Sequence, residues 1–144
     1  MIVSQILKSK ASDAILSVTP GSPVSEAADL LARNKIGSVV VSSDGRTAAG
    51  ILSERDIVRA LSTVGAEALA RPVDDYMTSR VVTCDPDETA DAVLATMTDG
   101  RFRHMPVVSD GVMVGLITLG DVVKARLSEL SMEKDALESM IMGH

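Results

Sequence analysis

Apolar positions along the chain fall into short buried runs and helix-spaced faces, and the same succession occurs twice. Residues 15–19 form a short apolar run stopped by Thr19-Pro20-Gly21, which predicts a strand and then a turn. Ser25 offers an N-cap, and Ala27, Ala28, Leu30 and Leu31 give the next segment a helical apolar face. Residues 37–41 are rich in β-branched side chains, Asp44-Gly45 signals a turn, and residues 48–52 return as the paired strand. Ser53 opens a second helix that carries Ile57, Val58 and Leu61. The second passage predicts a strand over residues 81–83, a helix near 89–97, strands near 105–108 and 112–117 turned at Asp110-Gly111, and a helix from Thr118.

The two passages are copies. Gly50-Ile51-Leu52-Ser53-Glu54-Arg55-Asp56-Ile57-Val58 aligns with Gly115-Leu116-Ile117-Thr118-Leu119-Gly120-Asp121-Val122-Val123 at an offset of 65. Val18-Thr19 aligns with Val82-Thr83 at 64, Val40-Val41 with Val107-Val108 at 67, and Val3 to Leu7 with Val73 to Met77 at 70. A unit of about 65 residues is marginal for a core of its own. Two such units are expected to pack into one α/β (α+β) body of two β-α-β-β-α repeats with approximate two-fold symmetry. Clefts between the repeats are then the expected ligand sites. The division along the chain is residues 1–72 (first repeat with an N-terminal helical segment), 73–130 (second repeat) and 131–144 (a helical extension).

Composition narrows the function. The 144 residues carry a formal charge of −6 and only two aromatics, Tyr76 and Phe102, while eighteen valines fill the core. An acidic chain with no aromatic platform is a poor partner for nucleic acid. No apolar run approaches the ~20 residues that span a bilayer, and no leader pattern precedes a cleavage site, so no membrane association and a cytoplasmic location are expected. The single cysteine, Cys84, rules out an internal disulfide and reads as a buried thiol. His104 and His144 cannot build a zinc site alone, so no metal is expected. Neither a Walker motif nor a Gly-x-Gly-x-x-Gly fingerprint occurs.

The repeated Ser53-x-x-Asp56 and Thr118-x-x-Asp121 have two compatible readings. A Ser or Thr N-cap with an acid one turn in is a helix start. A strand running into a helix N-terminus is also an anion site, and a carboxylate there can accept two ribose hydroxyls. Recurrence after Gly-apolar-apolar in both repeats resembles the paired cystathionine-β-synthase (CBS) domain module, in the form of small bacterial proteins with little beyond the pair. Gly100-Arg101-Phe102-Arg103-His104-Met105-Pro106-Val107-Val108 is the most distinctive stretch, and the resemblance covers nearly the whole chain.

That resemblance implies an adenosyl ligand, with Asp56 and Asp121 on the ribose and Ser53 and Thr118 near ribose or phosphate. Residues 15–19 and 80–83 would line base pockets, with Thr19, Arg80, Val81 and Thr83 among the contacts. Gly37, Ser38, Val39, His104, Met105 and Pro106 would close over the ligand. Pro106 stands where the first repeat has Val39, which implies unequal sites. Arg101, Arg103 and His104 read either as a solvated turn or as a phosphate clamp; Arg55, inside the first signature, and Lys8 or Lys35 are weaker cation candidates. Because this cluster and Pro106 lie in the repeat of Asp121, the Asp121 site is expected to be the stronger.

Val123, Leu127, Leu130, Lys134, Leu137 and Ile141 recur at heptad spacing on the last helix. They would pack either on the N-terminal segment around Ile2, Ile6 and Leu7 or between protomers of a homodimer. The expected function is a non-catalytic sensor of an adenine nucleotide such as AMP, ATP or NAD, acting through shape change on an effector protein yet to be named. The alternatives are a structural dimerisation protein with vestigial pockets and a nucleotide hydrolase using His104 and Asp121.

Overall fold

A computed structural model of the chain describes residues 1–10 and 14–143; His144 lies outside the described residues. The order is α1 (Val3–Ser9), β1 (Ser17–Val18), α2 (Val24–Asn34), β2 (Ser38–Val41), β3 (Gly50–Ser53) and α3 (Glu54–Val64). Two 3-10 turns follow, Gly65–Ala70 and Val73–Asp75, then α4 (Ala90–Gly100), β4 (His104–Ser109), β5 (Val112–Thr118) and α5 (Leu119–Ile141). The β-α-β-β-α succession is complete in the first half: β1 pairs parallel with β2, and β2 pairs antiparallel with β3.

In the second half β4 and β5 form a hairpin, but residues 81–83 do not form the expected strand. Proline explains the difference. In the first repeat Val40 donates its N–H to Leu16 O, the bond that starts the β1–β2 ladder. Pro106 holds the position of Val40 and has no N–H to give. Only Cys84 bridges to β4, donating to Pro106 O and accepting from Val108 N. The two strands are therefore in register at an offset of 66, with Val18 matching Cys84 and Val40 matching Pro106. This corrects the offsets of 64 and 67, and with them the pairing of Pro106 with Val39.

Both first helices of the repeats end on a left-handed residue, Lys35 (φ 52°) and Arg101 (φ 56°), after which Ile36 and Phe102 donate back to Leu31 O and Met97 O. This shared C-cap fixes the offset of 66. At the other end of the first of these helices the expected cap moves: Pro23 is the N-cap of α2 and Ser25 lies inside the helix. Proline with its φ preset ahead of the first turn suffices there.

Two cores form. Val18, Val24, Ala27, Leu31, Val39, Val41, Leu52 and Ile57 pack with Val73, Tyr76 and Met77. Cys84, Val93, Met97, Met105, Val107, Ile117 and Val122 pack with Val3, Ile6 and Leu7. The segments preceding each repeat thus trade places: α1 lies on the second repeat and residues 73–77 on the first. The signature glycines permit it. A Cβ on Gly115 would stand 2.7 Å from Leu7 Cδ2, and one on Gly50 2.9 Å from Met77 Cγ. The hairpins also meet across the repeats, Met113 N donating to Arg46 O at 2.8 Å.

Candidate functional site

Each β strand that closes a repeat runs straight into a helix whose cap carries the signature. Ser53 Oγ accepts from Asp56 N at 3.3 Å, and Asp56 Oδ2 accepts from Ser53 N at 2.9 Å and from Ser53 Oγ at 3.0 Å. Thr118 and Asp121 repeat the box, with 3.1 Å and 2.9 Å for its two backbone bonds. Capping is therefore real at both positions, and it orients each carboxylate at a helix N-terminus. The preceding loops are tied in the same way, Glu54 N to Gly37 O and Leu119 N to Arg103 O, both at 2.9 Å.

Two clefts result, and each is built from both repeats. The larger, about 460 Å³, joins Ser53, Arg55 and Asp56 of the first repeat to Thr78, Arg80 and Val81 and to the loop leading into β4. The smaller, about 270 Å³, joins Leu116 and Thr118 of the second repeat to α1, Leu16 and the loop leading into β2. Gly37 and His104 line both. Arg101 and Arg103 therefore border the cleft of Asp56 and not that of the second signature, while His104 borders both. The expectation that the cluster would strengthen the Asp121 site is corrected by this crossing of the halves.

The clefts differ most in charge. Arg55, Arg59, Arg80, Arg101 and Arg103 line the larger one, five of the nine arginines of a chain with net charge −6. At the register of the strands and caps their counterparts in the second site are Gly120, Lys124, Ala14, Lys35 and Gly37. Asp56 Oδ1 stands 3.7 Å from Arg59, while Asp121 Oδ2 is met at 2.9 Å by Lys10. Burial pushes the Asp121 carboxyl up, but Lys10 and the Thr118 amide outweigh it and hold the group below its usual range. His104 is pushed down by burial; Arg103 and Lys10 add to that, and Glu54 and Asp121 oppose it.

Other sequence candidates lie elsewhere. Ser38 lines the smaller cleft, but Val39, Met105 and Pro106 are core positions behind the walls. Thr19 shares a hydrogen bond with Ser22 at 3.0 Å and borders neither cleft, and Thr83 lines neither. Lys8 is likewise absent from both linings, whereas Lys35 is in the smaller. Arg59 and Lys10 are cleft residues that sequence reading missed. Arg59 sits one turn after Asp56 and was findable from helical spacing; Lys10 meets Asp121 across the whole fold, with no local pattern to betray it. Among the described residues no three His, Cys, Asp or Glu side chains gather as for a metal, and no helix is long and apolar enough to cross a membrane.

A family model described as CBS domain matches the chain twice, over residues 3–63 and 73–128. The mitochondrial CBS domain-containing protein CBSX3 of Arabidopsis thaliana is 32 % identical over 148 residues, covering 98 % of this chain and 72 % of that protein. The CBS-domain-containing protein ATU1752 of Agrobacterium tumefaciens superposes with a TM-score of 0.83 at 41 % identity, over 88 % of this chain and 99 % of that one. The CBS domain pair of protein MJ0100, solved with 5′-methylthioadenosine and S-adenosylmethionine, gives a TM-score of 0.78 at 25 % identity, over 90 % and 98 %.

Proposed function

The chain belongs to the CBS-domain family, as a pair of repeats in one body, and on that premise we propose that it is a non-catalytic sensor whose larger cleft binds an adenine nucleotide through its phosphates. The observation that supports this most is the convergence of five arginines and one helix-capping carboxylate on a single cleft. A guanidinium fork matches phosphate oxygens, and Asp56 supplies acceptors for ribose hydroxyls. The likeness to the MJ0100 pair supports an adenosyl ligand. AMP, ATP and NAD all carry the required anion.

Ligand occupancy would join elements of both repeats, so affinity that differs between two arrangements of the repeats becomes a signal. That signal passes to an effector protein or to a second copy of the chain, in the cytoplasm. A hydrolase built on His104 and Asp121 is less well supported, because Asp121 is already engaged by Lys10 and the Thr118 amide. Calorimetry against AMP, ADP, ATP, NAD and S-adenosylmethionine, with product analysis after incubation, tests the reading. Saturable binding without turnover is expected; turnover, or no binding to any of them, overturns it.

A further inference from the structure

Lys10 follows α1 and reaches across into the second repeat. Its Nζ is 2.9 Å from Asp121 Oδ2 and donates to Leu116 O at 2.9 Å. Both side chains of this pair are about three-quarters buried, with 24 % and 22 % exposure. The counterpart at Asp56 is a longer contact to Arg59, whose side chain is 78 % exposed. Lys10 lines the smaller cleft and Asp121 does not, so the carboxylate of the second signature is covered by a cation of the same chain. The cleft is nonetheless equipped for a polar guest: the Ser38 hydroxyl lines it, is 3 % exposed, and has no hydrogen-bond partner among the described residues. A buried hydroxyl left so calls for a partner.

We infer that Lys10 is the specificity-determining residue of the smaller cleft, admitting adenosyl ligands of net negative charge and rejecting neutral or net cationic ones. This rests on reading the clefts as adenosyl-ligand sites. A ribose that takes Asp121 must displace the ammonium. With Asp121 engaged by the ribose, the residues lining that cleft include no other carboxylate, so a displaced Lys10 would stand beside Leu7, Leu16 and His104, whose proton affinity burial lowers. A largely buried ammonium without a counter-ion is costly. A phosphate supplies that counter-ion, with Lys35 on the same wall. Adenosine supplies nothing, and in S-adenosylmethionine the sulfonium and the ammonium outweigh the one carboxylate.

The test compares AMP, adenosine and S-adenosylmethionine by calorimetry on the full chain carrying Asp56→Ala, which weakens the larger cleft, so that the part of the binding that depends on Lys10 is read from the difference between variants. With Lys10 in place, AMP should bind at least about tenfold more tightly than adenosine, and S-adenosylmethionine not measurably. Lys10→Met should raise adenosine affinity about tenfold and bring the AMP-to-adenosine ratio toward one. Lys10→Arg should keep the original ratio, and its melting temperature controls for folding. Unchanged or weaker adenosine binding in Lys10→Met overturns the inference, as does an Asp56→Ala chain that binds none of the three while the unaltered chain binds AMP. If the unaltered chain binds none of them, the adenosyl reading of both clefts falls, and the inference with it.

Discussion

His104 takes part in both clefts, and its protonation should be visible in the stability of the fold. In the unfolded chain the imidazole takes a proton near pH 6.5; in the folded chain burial lowers that pKa. Between the two values the unfolded state binds more protons, so stability is full above about pH 6.5 and is withdrawn as pH falls below it. Thermal unfolding from about pH 7.5 to about pH 5 should show that loss, and His104→Gln should flatten it. Asp56→Asn is expected to weaken AMP binding ten- to a hundredfold, about 1.5–3 kcal/mol for a charge-assisted bond. Its ligand-free melting temperature should barely move, since Asn also accepts the Ser53 amide. Cys84, whose thiol burial pushes up to about 12, should resist alkylation at neutral pH until the chain is unfolded. The types of residue at the clefts were legible in the sequence because cap boxes are local. Which residues share a cleft was not, since that depends on how the repeats cross.

Elements were legible where a local signal is strong: the Asp110-Gly111 hairpin and the two capping boxes stand where periodicity and turn chemistry put them. They were misjudged where a single hydrogen bond decides, as at residues 81–83, because a proline in β4 removes a donor needed by its neighbour. On α5 the heptad seam is real but does not pack on the N-terminal segment. Val122 and Ala125 do that from another face, while Leu127, Leu130, Leu137 and Ile141 are 63, 49, 58 and 81 % exposed. Such a stripe suits a second copy of the chain. A chain ending at Ser128 should self-associate at least about tenfold more weakly than the full chain, given ~1.5–3 kcal/mol for each large apolar side chain buried. Sedimentation across micromolar concentrations checks this; equal association of the two chains would place the contact elsewhere.

Across the whole molecule the exchange of α1 and residues 73–77 makes two cores behave as one. Neither repeat can unfold without stripping its partner's apolar cover, so calorimetry should show a single cooperative transition. The shared wall makes a second test. A Cβ on Gly37 would come within 3.2 Å of His104 Nε2. Gly37→Ala should therefore disturb binding in both clefts, whereas Arg80→Ala should weaken only the larger. Separate titrations of nucleotide into each variant distinguish one affected site from two.

The long last helix has a mechanical consequence. It is rooted in the Thr118–Asp121 cap, beside the contact with Lys10, and its 23 residues extend about 34 Å. Beyond Glu129, where the N-terminal ammonium is paired at 2.9 Å, its side chains are exposed to the end of the helix. The helix is thus a lever held from its cap to Glu129, with its remaining arm in solvent. A tilt of the whole helix by about 5° about its root would swing the tip by roughly 3 Å.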